Sequence, residues 1–387
     1  GLVDMVTRVP TIPKVLIWGR EKCGLTLEQA SERLGRKTAF LEKIESGETF
    51  PSVSLFRDMA RLYFLPEATL LAEEPPQIPD LPPDHRTFEG VAPSPRYKTI
   101  IAIRKVQVRQ FALAELAELD ESLGAPSLPQ YQLADDPEKA GGEERNRIGF
   151  SIEQQLKLST SRALMMWRVA LETSGISVFV EELPDARGVS LYDTQFPAII
   201  LDQNEKHPAA RLFTLMHEYA HLLLRQWGIS DQNPREPLER FCNQFAAAFL
   251  MPDQALRAVF ALRQGELIEP TISELENAGD DLCVSISALA LRLQEKGYAP
   301  TGYYNRIVKT LTPPTPRRQR RGEGGPPRKY IILAELGHHF TDSVLRTLEH
   351  GHISRFDASR LLNASPGYFE DLRETIDKRR TDLVNVS

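Results

Sequence analysis

His217-Glu218-Tyr219-Ala220-His221 sets two histidines four residues apart with a carboxylate between them, and Glu239 follows 18 positions after the second histidine. Positions i and i+4 of a helix share a face, so His217 and His221 can offer two imidazole nitrogens to one cation while Glu218 points at water beside it. Glu239 and Asn243 repeat that spacing on a second segment. His217, His221 and Glu239 together make a three-donor set for Zn2+ that leaves a fourth position open. The chemistry that fits is metal-assisted hydrolysis. Zinc brings the pKa of water down to about 7, and Glu218 can take the proton and pass it to a leaving amine. Asn243, one helical turn from Glu239, is placed to orient it or a ligating histidine.

The elements carrying these residues are apolar on nearly every side. Leu212, Phe213, Leu215, Met216, Ala220, Leu222, Leu223 and Leu224 surround the histidines, and Phe245 to Leu250 follow Asn243. Such helices are buried. An uncompensated neutral polar group there costs roughly 2–7 kcal/mol, and a charge costs more, so a bound cation would remove a large penalty. Cys242 lies three residues after Glu239 on the same helical face. One reading makes it a small buried side chain; the other makes its thiolate an inhibitory occupant of the open zinc position. No oxyanion stabiliser stands out among Tyr298, Arg292, His350 and His352.

Ahead of the first ligand helix, residues 162–173 read as a helix. Ser177–Glu181, Val189–Tyr192 and Ala198–Leu201 read as three short strands. An edge strand near the metal would let an extended peptide bind by strand addition, and Ala198–Leu201 is the expected edge.

Ordered motifs across residues 170–255 resemble the ImmA/IrrE metallopeptidases, a bacterial and phage family of the Glu-ligand zincin group. They are Gly175-Ile-Ser-Val-Phe179, Gly188-Val-Ser190, Pro197-Ala-Ile-Ile200, Arg211-Leu-Phe-Thr-Leu-Met-His-Glu218 and Glu239-x-x-Cys-Asn-x-Phe-Ala-x-x-Phe-Leu-Met-Pro252. Val284 to Leu293 continue the likeness more weakly. Ala248 departs from it, in a tract where many relatives carry an acidic residue. Asp84-His85-Arg86 resembles a short motif that often precedes the peptidase region. The resemblance implies a zinc endopeptidase that cuts a regulatory protein, a helix-turn-helix repressor above all, and so relieves transcription of stress, mobile-element or defence genes.

Residues 14–72 read as four or five short helices. Thr26 with Gln29 forms a capping box, Gly35 permits a sharp turn, Leu41 and Ile44 give the next helix its buried face, and Gly47 caps its end. Ile44-Glu45-Ser46-Gly47-x-x-x-Pro51 resembles the close of the recognition helix in Cro/repressor (Xre) helix-turn-helix domains. By that resemblance Arg36, Lys37, Thr38 and Lys43 are nearest DNA. Nine Lys/Arg against eight Asp/Glu in residues 14–72 leave a net charge of only +1. Phosphate neutralisation dominates affinity, so such a module binds DNA weakly alone, and protein docking or dimerisation is the other reading.

The remaining chain sets the frame. At 387 residues it has room for two or three domains, and 41% apolar with 26% charged residues is the composition of a soluble globular protein. No apolar run approaches a membrane span, and the amino terminus lacks a secretory pattern. Cys23, Cys242 and Cys283 are too few and scattered for a disulfide framework, which fits a reducing cytoplasm. The net charge of −6 leaves any nucleic-acid contact to a local basic surface.

The expected architecture is α+β and mostly helical. It comprises a helix-turn-helix domain (1–75), a proline-rich acidic linker (76–97), a zincin-like peptidase core with a small three-stranded sheet (98–311), a basic flexible linker (312–329) and a helical segment (330–387). Within the core, a helix is expected over 98–123. In the last segment Ser354, Ala358, Ser359, Leu362 and Phe369 repeat the spacing of Thr26, Ala30, Ser31, Leu34 and Leu41. A second helix-turn-helix-like bundle and an unrelated helical cap are both compatible with it. His338, His339, His350 and His352 lack ligand spacing and read as surface residues. The partners expected are a protein substrate, DNA and a second copy in a homodimer, with no membrane. Two rival functions stand beside the endopeptidase. One is a DNA-binding regulator or antitoxin whose peptidase fold serves protein binding; the other is an aminopeptidase on small peptides. Glu218 weighs against pure binding, which needs no proton acceptor beside the metal.

Overall fold

Caps and glycine turns divide the chain into short helices. The computed structural model describes residues 7–82, 95–226, 228–230, 236–263, 265–311 and 325–386. Asp84-His85-Arg86 and most of the expected basic linker, residues 312–324, lie outside the described residues. Two units are present, Gly1–Leu81 with Pro93–Gln107, and Pro82–Ala92 with Val108–Ser387.

The first unit holds α1 (Pro13–Lys22), α2 (Leu27–Arg33), α3 (Thr38–Glu45), α4 (Val53–Leu62) and α5 (Glu67–Leu70). Thr26 and Gln29 form the reciprocal capping box that starts α2. Gly35, at φ 62°, makes the turn into α3. Gly47, at φ 81°, donates to the Ile44 carbonyl just past the end of α3. Leu41 and Ile44 are buried with Val15, Leu16, Leu55, Phe56 and Met59. Glu45 turns inward and receives both Nε and Nη2 of Arg20, at 2.8 and 3.0 Å. α6 (Tyr97–Leu119) starts in this unit, where the Tyr97 hydroxyl donates to the Leu62 carbonyl at 2.7 Å; its residues from Val108 onward belong to the second.

The second unit continues with α7 (Pro137–Ile148), α8 (Ile152–Gln155), α9 (Thr160–Thr173), β1 (Ser177–Glu181), β2 (Gly188–Leu191), β3 (Ala198–Asp202), α10 (Pro208–Leu223), β4 (Gly228–Ser230) and α11 (Pro237–Leu250). After these come α12 (Asp253–Phe260), α13 (Ile272–Leu282), α14 (Ile286–Glu295), α15 (Tyr303–Thr310), α16 (Arg328–Leu336), α17 (His338–Glu349), α18 (Arg355–Leu362) and α19 (Phe369–Val386). One core joins α7, α9, α10 and α11 around Trp167, which stacks on Phe150 at 4.2 Å and meets the edge of Phe249 at 4.7 Å. α16 and α17 pack on β1, and α17 and α19 on α9.

The fold is α+β and mostly helical, but its sheet corrects two expectations. Among the described residues it has four strands, in the order β1-β3-β2-β4. The added β4 is three residues long, too short for alternation to announce it. The expected edge, Ala198–Leu201, is interior: β3 pairs in parallel with β1 (Val178 opposite Ile199) and antiparallel with β2 (Val189 opposite Ile200). Its unbroken apolar run is the pattern of a strand covered on both faces, and Ile199 and Ile200 are fully buried. Among the described residues β4 is one end of the sheet.

The carboxy-terminal histidines need correcting too. His338 is buried, with Nδ1 2.8 Å from Glu172 Oε2 and Nε2 2.9 Å from Arg379, and His339 Nδ1 lies 2.8 Å from the Ser177 hydroxyl. His350 and His352 are exposed, as expected. The repeated spacing has a local counterpart: Ser354 caps α18 with Asp357 as Thr26 caps α2, Ala358 and Ala30 are both buried, and Asn363 takes the left-handed conformation of Gly35.

Candidate active site

Burial of α10 follows from its sequence, since Leu212, Leu215, Met216, Tyr219, Ala220, Leu222 and Leu223 are all within the core. Its neighbour α11 packs against it and against α7. The packing of α11 on α7 is close because both faces are small: a Cβ on Gly141 of α7 would stand 2.7 Å from the Phe245 carbonyl oxygen and 3.0 Å from the Ala248 Cβ. Ala248, the departure from the acidic pattern, therefore stands at the close contact of α11 with α7. Tyr219 fixes α10 to α7 by donating from its hydroxyl to Glu144, and Arg147 donates to the same hydroxyl at 2.7 Å.

This packing gathers the three expected donors. Glu239 Oε2 lies 3.2 Å from His217 Nε2, Glu239 Oε1 lies 3.2 Å from His221 Nε2, and the two Nε2 atoms are 3.2 Å apart. All three residues are fully buried. Donors at about 2.0–2.2 Å from one tetrahedral ion stand roughly 3.3–3.6 Å from one another, so the spacing fits zinc with almost no movement. Burial pushes the Glu239 carboxyl upward, but hydrogen bonds from the two imidazoles outweigh it and hold the group well below the usual carboxylate range. Asn243 sits where the spacing predicts, with Oδ1 3.0 Å from His217 Nδ1. An amide oxygen there accepts from a protonated Nδ1, so that with a cation bound the Nε2 lone pair would face the ion in place of its hydrogen bond to Glu239.

Glu218 is fully buried, and among the described residues neither carboxylate oxygen has a hydrogen-bond partner. Burial first, then the charge of Glu239, raises its pKa well above the ordinary value, against a small opposing pull from Ser190. A cation beside it would supply the missing countercharge. β2 supplies its wall, with Gly188 directly against the side chain. In the sequence Gly188-Val-Ser190 is one of the motifs of the resemblance and Val189–Tyr192 an expected strand; the apposition of Gly188 to Glu218 depends on β2 packing on α10, which no local pattern reveals.

The Cys242 sulfur lies within 4.8 Å of a ring nitrogen from each of His217 and His221. Burial, and then the charges of Glu239 and Glu218, push the thiol well above its usual range, an environment that keeps S–H. Three of the four oxyanion candidates are engaged elsewhere, and His352 is exposed. Arg292 pairs with Glu138, Tyr298 donates to Asp253, and His350 pairs with Asp120. In the first unit Arg36, Lys37 and Lys43 are exposed, and Thr38 opens α3 half-buried.

Residues 171–294 match the family model described as the IrrE N-terminal-like domain, peptidase M78, and residues 19–72 match a helix-turn-helix domain. The chain joins an M78-type peptidase domain to a helix-turn-helix domain. No curated protein matches the chain. The M78-type match spans β1 to α14 and so contains His217, Glu218, His221, Glu239 and Asn243. Its type is that of a metallopeptidase. No described helix is long and apolar enough to cross a membrane.

Proposed function

We propose that this protein is a cytoplasmic zinc-dependent endopeptidase that cleaves a regulatory protein, a helix-turn-helix repressor, and thereby derepresses stress, mobile-element or defence genes. The carrying observation is the convergence of His217 Nε2, His221 Nε2 and the Glu239 carboxylate at 3.2 Å, with the Glu218 carboxylate buried beside them. His217, His221 and Glu239 would hold zinc, which supplies Lewis acidity at the scissile carbonyl and acidifies water. Glu218 takes the proton of the attacking water and delivers it to the amine that leaves. Asn243 holds His217 in the ligating tautomer. The substrate backbone adds at the β4 end of the sheet, in place of the interior β3.

Glu218→Gln keeps shape and removes the base. Co-expressed with host helix-turn-helix repressors, the parent is expected to cut one of them and the variant none. A variant that complements without cleaving would favour the protein-binding regulator instead, and one that cleaves like the parent would remove Glu218 as the base. The exposed Arg36, Lys37 and Lys43 favour a second role, DNA binding through α3. Duplex titrations at two salt concentrations test it, since replacing one phosphate-binding cation with alanine lowers the slope of log K against log salt by about 0.9.

A further inference from the structure

Sequence spacing gives His350 and His352 no third ligand, but the fold supplies one from 230 residues away. Asp120, just past the end of α6, is buried, and its Oδ1 accepts the Ser122 amide at 3.0 Å. That bond fixes the carboxylate and turns Oδ2 toward His350 Nδ1, 2.8 Å away. The histidines are set just as firmly at the end of α17. The amides of His350, Gly351 and His352 donate to the carbonyls of Arg346, Leu348 and Thr347 at 2.9, 3.0 and 3.0 Å. Gly351, at φ 78°, makes the reversal between them. The two rings stand 6.2 Å apart edge to face, and one ligand atom from each of the three residues lies within 4.8 Å of the others.

We propose that Asp120, His350 and His352 form a second metal site, for a divalent transition-metal ion of the zinc type, distinct from the His217, His221 and Glu239 centre. A simple His350–Asp120 ion pair accounts for one histidine and leaves the second ring beside it unexplained. Two imidazoles and one carboxylate suit zinc, nickel or copper, whereas magnesium and calcium prefer all-oxygen shells. Both rings are exposed, so the ion enters without opening the fold. Coordination through His350 Nδ1 replaces the proton held between it and Asp120 Oδ2, and that proton passes to solvent. The bound ion ties the end of α6 to the end of α17 and stabilises the folded chain by mass action.

The test counts zinc in the full chain, free of any histidine tag, by elemental analysis and by competition with a chromophoric chelator. The parent is expected to hold two equivalents. His352→Ala and Asp120→Asn should each hold one, the His217→Ala/His221→Ala double variant one, and that double variant with His352→Ala none. His207→Ala, an exposed histidine away from both clusters, should still hold two. If His352→Ala and Asp120→Asn both bind as much zinc as the parent, the site does not exist. A parent with one equivalent that His352→Ala removes would uphold this site and sink the peptidase reading; one equivalent that only His217→Ala/His221→Ala removes would do the reverse. Should the double variant fail to fold, the zinc content of His352→Ala and Asp120→Asn in the parent background decides alone.

Discussion

Gly188 of β2 lies so close to Glu218 of α10 that a Cβ added to it would stand 2.7 Å from both Cγ and Oε1 of the glutamate. The backbone of the strand thus lies directly against the Glu218 side chain. Thr214 Cγ2, one turn earlier on α10, stands 2.8 Å from the same added atom. The Glu218 side chain is the movable partner, so Gly188→Ala should displace the carboxylate and spare the sheet. Zinc content and melting temperature are expected to stay near the parent values while kcat/KM falls on the order of 100-fold. Unchanged kcat/KM would show that Glu218 has more freedom than this close approach allows.

Asn243 tests whether the tautomer of His217 is set from outside the donor set. Asn243→Leu removes the acceptor facing Nδ1, and zinc affinity should drop roughly 10- to 100-fold. Asn243→Asp restores an acceptor and should recover most of it. Equal affinity in all three proteins would make the 3.0 Å approach incidental.

For Cys242 the surroundings favour a thiol over a thiolate, through burial and two neighbouring carboxylates. A bound cation opposes that preference, so the prediction rests on His217, His221 and Glu239 supplying the donors: the cobalt-substituted protein is expected to lack a sulfur-to-metal charge-transfer band at neutral pH, and Cys242→Ala should keep both metal and activity. A band that disappears in Cys242→Ala, with a gain in activity, would establish the inhibitory thiolate instead.

The helix-turn-helix unit offers a test independent of the metal. Thr26 accepts the Gln29 amide at 3.2 Å and Gln29 accepts the Thr26 amide at 3.0 Å. Thr26→Ala should cost about 1 kcal/mol, read as faster amide exchange along α2. Exchange rates equal to the parent's would mean the cap contributes nothing to the turn.

The candidate donors and Glu218 are legible because His217 with His221, and Glu239 with Asn243, are i, i+4 pairs each within one helix, and the cap at Thr26 because it involves neighbours three residues apart. What the sequence hid depends on contacts between distant segments. The place of Ala198–Leu201 just before the ligand helix suggests an edge, but strand order, with β1 and β2 on its two sides, is not written locally. Nothing local to His338 reveals that Glu172 and Arg379 enclose it. His350 and His352 gain Asp120 only because the end of α6 returns beside α17.

The most direct test is anomalous X-ray scattering at the zinc edge from crystals of the zinc-loaded full chain. A peak within bonding distance of His217 Nε2, His221 Nε2 and the Glu239 carboxylate is the predicted result. Zinc-saturated crystals with no peak between those three side chains would contradict the account.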